Sequence, residues 1–86
     1  MYGDNPNQVF MCQNNLLKHY LENDVDKCVD YGNKILTHKD DVRKLSYYNQ
    51  HDLYFTVGTA HVLQGDSNLK GVEILEKCYD LVDLNN

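Results

Sequence analysis

With 86 residues, 42% hydrophobic content and a net charge of −5, the chain has material for one small domain, burying roughly 60–65% of its unfolded surface. Acids outnumber Lys and Arg in both halves, seven to four over residues 1–41 and six to four over residues 42–86, which argues against direct binding to nucleic acid or anionic membranes. No apolar run approaches the roughly 20 residues of a membrane span, and the start lacks a basic-then-apolar signal pattern, so a soluble, cytoplasmic protein is expected.

The segment 1–8, MYGDNPNQ, holds Gly, Asp, two Asn and the only Pro, and reads as irregular, leading into a single domain over 9–86. A first helix is predicted over Val9–Leu21, where Val9, Cys12, Leu16, Leu17, Tyr20 and Leu21 recur at spacings of three and four. Glu22-Asn23-Asp24 reverses the chain, with Asp24 as N-cap and Asp26 in the first turn, where the helix dipole favours an anion. The second helix, Val25–Thr37, has the cleanest periodicity: Val25, Cys28, Val29, Gly32, Ile35 and Leu36 form one stripe. Gly32 costs helix propensity of about 1 kcal/mol relative to Ala, and its place on the stripe predicts a second backbone close by.

After a polar break at His38–Asp41, a third helix is expected over Val42–Gln64. Its polar interruption, Asn49-Gln50-His51-Asp52, contains neither Gly nor Pro, which favours one continuous helix with that turn exposed. Gly65-Asp66-Ser67-Asn68 then reverses the chain into a fourth helix, Leu69–Leu84. Val72, Leu75, Cys78, Tyr79 and Val82 make its main stripe. Ile74, Leu81 and Leu84 fall off that stripe and supply apolar surface beyond what one face needs, a candidate for self-association. The expectation is an all-α fold: four helices as two antiparallel hairpins, about 9–41 and 42–86.

No chemistry-bearing pattern emerges. His19, His38, His51 and His61 show no HxxxH or HxH spacing, and no Cys stands three or four residues from a His, so no metal site is predicted. His61 reads as a hydrogen-bonded core residue. Cys12, Cys28 and Cys78 form no CxxC and fit small buried residues of a reducing compartment. Ser46 and Ser67 lie outside any GxSxG context, no glycine-rich phosphate loop is present, and the acids Asp24, Asp26 and Asp30 lack EF-hand spacing. Neither an enzyme nor a cofactor is expected.

Residues 54–86 carry a resemblance. Tyr54, the Val57-Gly58 pair, His61, Gly65-Asp66 at the turn, then Gly71, Leu75 and Cys78 and the ending Asp83-Leu84-Asn85-Asn86 resemble a tetratricopeptide repeat, a unit of two antiparallel helices that stacks into a right-handed array. Gly58 and Gly71 would then let two helix backbones approach. The first hairpin matches less closely: Asn23-Asp24 stands for Gly-Asp, and Leu16 replaces the glycine of the first helix. The 43 residues from Cys28 to Gly71 exceed the regular repeat, and units of that length look like those of bacterial peptide-pheromone sensors of the Rap, Rgg and PlcR kind. The DNA-binding helix-turn-helix of some members is missing here.

The resemblance implies a non-catalytic, TPR-like protein- or peptide-binding module, part of a regulatory protein. Its inner face would be lined by Gln13, Leu17 and Tyr20 on the first helix and by Asp52, Phe55, Thr59 and Val62 on the third. The alternative is a structural unit that forms a homodimer through a terminal helix, since repeat arrays usually need about three units. A third reading is a fragment of a larger regulator.

Overall fold

The computed structural model describes residues 5–65 and 69–85, excluding the side chains of 82–85. Five helices follow one another: α1 (Pro6–Asn23), α2 (Val25–Thr37), α3 (Lys39–Arg43), α4 (Tyr47–Gly65) and α5 (Lys70–Asn85). No strand occurs among the described residues.

α1 starts three residues earlier than its apolar spacing predicts. Asn5 caps it by accepting from the Asn7 amide at 3.0 Å, and Pro6 occupies the first turn, where its missing N–H costs nothing. The buried stripe is Phe10 and Leu17, with Tyr20 and Leu21 packed beside them. Val9, Cys12 and Leu16, expected inside, are exposed. At the reversal a single residue serves both helices: the Asp24 N–H donates to Tyr20 O, and Asp24 Oδ1 accepts from the Lys27 amide. α2 spans the predicted residues and buries Cys28, Val29, Gly32 and Ile35. A Cβ on Gly32 would lie 2.5 Å from Val57 Cγ2, so a side chain, not the predicted backbone, fills the space over it.

The predicted third helix divides into α3 and α4, and the break is not at Asn49–Asp52. Lys44 and Leu45 close a tight turn by donating to Asp41 O and Val42 O. Ser46 then caps α4, its Oγ accepting from the Asn49 amide at 3.2 Å. The polar run lies inside α4, each residue with work to do. Gln50 is buried and donates to Leu45 O at 2.9 Å and to Arg43 O at 3.5 Å, satisfying carbonyls that the end of α3 leaves without helical partners. Asn49 Nδ2 donates to Asn7 Oδ1 at 2.8 Å, and the same oxygen accepts from the Ser46 amide.

Contacts fix the directions in which the helices pack. Asn7 meets Ser46 and Asn49, and Asn14 meets Asp52, so α1 and α4 run side by side in the same sense. Gln64 reaches Asp26 and His61 reaches Asn33 at 3.0 Å, so α2 and α4 are antiparallel. α5 returns along α4: Cys78 Sγ donates to His51 O, and a Cβ on Gly58 would meet Leu75 at 2.7 Å and Gly71 O at 3.2 Å. α4 thus packs against α1, α2 and α5, with Leu53, Val57 and Ala60 completely enclosed.

On α5 the buried residues are Gly71, Ile74 and Cys78, while Val72 and Tyr79 are exposed. The main stripe is therefore rotated from the predicted one. Ile74, read as surplus surface, lies in the core, and Leu81 is half-buried. The side chain of Leu84, the Asp66-Ser67-Asn68 turn and Met1–Asp4 lie outside the described residues.

Candidate binding surface

α4, which packs against α1, α2 and α5, also presents an exposed apolar strip. α4 advances 3.6 residues per turn, so positions seven apart lie on one side. Tyr48, Phe55 and Val62 have this spacing and are 79%, 54% and 46% exposed. The His51 ring stacks on Phe55, centroids 6.3 Å apart and planes 6° from parallel, stiffening the middle of the strip. Thr59 is half-buried between Phe55 and Val62.

A polar cluster borders this strip on the side of α1. Asp52 accepts from Asn14 Nδ2 at 2.7 Å and pairs with Lys18 at 3.3 Å. Asn14 Oδ1 is buried without a hydrogen-bond partner. Behind Asp52 sits Cys78, whose thiol is pushed up to about 11, first by burial and then by the Asp52 charge. Burial also raises Cys28, whose Sγ donates to Leu17 O. Both thiols are poor nucleophiles in this state.

The seven residues expected on one inner face divide. Asp52, Phe55, Thr59 and Val62 share a side of α4. Leu17 is fully buried and closed to a partner, because helix periodicity marks it apolar without saying which neighbour covers it. Gln13 lines a different cavity of about 290 Å³, with Ile35, Val42 and Leu45. Tyr20 belongs to the seam between α1 and α2, edge-on to the Tyr31 ring at 6.3 Å with Lys27 Nζ 5.9 Å from its centroid. Tyr48, His51, Asn14 and Lys18 were missed; the Tyr48–Phe55–Val62 spacing was available as a signal for the first.

α5 adds a second exposed apolar pair, Val72 and Tyr79, also seven apart and 44% and 74% exposed. His61 is half-buried against Asn33. Among the described residues no group of three or more His, Cys, Asp or Glu is placed to hold a metal ion, and no helix is long and apolar enough to cross a membrane. No family model, curated protein or solved structure matches the chain.

Proposed function

We propose that the chain is a non-catalytic protein- or peptide-binding module of tetratricopeptide-like type, which receives its partner along the Tyr48–Phe55–Val62 strip. One observation carries the reading: three large apolar side chains stand exposed in a row on the helix that three others hold in place. Such a rigid apolar row, flanked by Asp52 and Lys18, suits an amphipathic segment with its own apolar anchors. The close approach of α5 to α4 at Gly58, and the parallel course of α1 and α4, support the two-hairpin stack that the repeat resemblance implies.

Selection from a random peptide library on the immobilised chain, with counter-selection on Phe55→Glu, tests the proposal. Enriched peptides should bind with micromolar Kd and lose at least about tenfold on Phe55→Glu, the loss of an apolar anchor plus a buried charge. Peptides that bind both proteins equally, or no enrichment over the bare matrix, would sink it.

Val72 and Tyr79 favour a second reading, self-association through α5. Light scattering after size exclusion distinguishes it: the 10.0 kDa chain would give a constant mass of about 20 kDa as a dimer. Tyr79→Ser should return that mass to the monomer value.

A further inference from the structure

Folding assembles a cationic site that the even charge distribution of the sequence hides. A cavity of about 650 Å³ opens between α2, α3, α4 and α5, within the roughly 300–1,000 Å³ range of ligand pockets. Lys39 and Arg43 enter from α3, and Lys70 and Lys77 from α5. Half of the eight Lys and Arg of an acidic chain therefore converge on one concavity, and no Asp or Glu is among its lining residues.

The positive charge there is largely uncompensated. Arg43 meets Asp40 through one nitrogen at 2.7 Å, leaving other donors of its guanidinium fork for a second anion. Lys77 Nζ stands 5.9 Å from the centre of the Tyr54 ring. Neither Lys39 nor Lys70 has a carboxylate within ion-pair distance among the described residues. Beneath the charges the lining turns apolar with Leu36, Val42 and Ile74, the last two buried.

We infer that this cavity binds an acidic peptide segment that carries an apolar side chain. The cations take its carboxylates, and the Leu36–Val42–Ile74 floor takes the side chain. An inorganic anion would use the rim and leave the floor wet; a neutral apolar segment would leave the ammonium groups facing nothing. Lysines suit carboxylates that arrive at variable angles, since each is a mobile point charge and not a fixed fork. The inference rests on the peptide-binding reading above and gives it a second contact, away from the α4 strip, with a stated ligand chemistry.

The test uses the full chain and a defined probe: fluorescein-labelled, end-blocked Glu-Glu-Leu-Phe-Glu-Asp, followed by fluorescence anisotropy at low salt. Saturable binding is expected, weakening as salt rises. Lys70→Glu/Lys77→Glu should reduce affinity by about tenfold or more, since each reversal replaces an attraction by a repulsion. Lys27→Glu/Lys34→Glu changes net charge equally, at lysines that do not line the cavity, and should reduce it far less. Circular dichroism establishes that both variants are folded.

Four results overturn the inference: no saturation below about 1 mM probe, equal weakening by the two double variants, equal binding of the Gln-for-Glu, Asn-for-Asp probe, or displacement of the probe by inorganic phosphate or a short oligothymidylate as readily as by unlabelled peptide. Phe55→Glu separates the two readings. It should leave the acidic probe bound while weakening library peptides by at least about tenfold, so each site fails or survives by itself.

Discussion

α2 and α5 are each the second helix of an antiparallel pair, and each packs on one side against the helix that precedes its turn. Their other sides differ. α2 is covered by α4, with Gly32 under Val57 and Asn33 bonded to His61. α5 packs chiefly against α4 alone, and Val72 and Tyr79 point to solvent. Both helices offer apolar residues at helical spacing, so the contrast comes from what stands beside them. An apolar stripe records that a face can be covered and leaves open whether the chain itself does the covering.

The largest expected effects come from the covered side. Leu17→Ala removes a fully enclosed side chain and should cost about 3–5 kcal/mol. That is a large share of the roughly 4–13 kcal/mol a domain of this size has. Phe55→Ala, on the open strip, should change stability by less than about 0.5 kcal/mol. Urea unfolding of both variants measures the gap. Near-equal losses would place Phe55 in the core and remove the binding strip.

Gly32 and Gly58 sharpen the comparison at an intermediate scale. On Gly32 a methyl collides with the β-branched side chain of Val57, and on Gly58 it meets Leu75 together with the backbone oxygen of Gly71. Each Gly→Ala change should lose about 1–3 kcal/mol despite the gain of about 1 kcal/mol in helix propensity. Rescue should differ. Gly32→Ala with Val57→Ala exchanges one volume for another and should recover much of the loss, whereas Leu75→Ala cannot move the Gly71 oxygen that faces Gly58→Ala. Double-mutant cycles from urea midpoints read the two coupling energies. Equal rescue at both sites would mean that side chains alone separate α4 from α5.

Much of the fold was legible because local signals agreed. Asp24 and the Val25–Leu36 stripe gave α2 its limits, and Gly58 with Gly71 marked a close helix pair. The misreadings share one cause, that neighbours decide what a pattern means. Asn49–Asp52 looked like an exposed turn, yet Gln50 caps α3 and Asp52 joins α1 to α4. On α5 both sides are apolar, and only the fit of Gly71 against Gly58 puts Ile74 inside and Tyr79 outside. The Asn5-Pro6 start of α1 and the Ser46 cap of α4 were missed, although Asn before Pro and Ser ahead of a helix are ordinary start signals. The cationic cavity was not readable, because Lys39 and Arg43 lie 27 or more residues from Lys70 and Lys77 and only the return of α5 brings them together.

A smaller effect separates the two helix pairs by pH. Cys28 in the first pair, and Tyr54 and Cys78 in the second, all have raised pKa values, each chiefly through burial. For a thiol or phenol a rise means that the folded chain holds its proton after the unfolded chain has released it. The stabilisation is therefore complete below about pH 9 and is lost as pH climbs from the ordinary thiol value of 9.0 towards the value of about 11 for Cys78. Urea midpoints should stay flat from pH 7 to pH 8.5 and fall above pH 9. Cys78→Ala should flatten that fall, because Cys78 is raised to about 11 and its charge also raises Tyr54. Asp52→Asn should flatten it partly, by removing the second cause of the Cys78 rise. Thiol labelling at pH 8 reads the same asymmetry directly: Cys12 is exposed, Cys28 and Cys78 are buried, and one fast thiol is expected in the native chain against three in denaturant. Fast labelling of Cys78 would mean that α5 parts readily from α4, making the second helix pair the looser of the two.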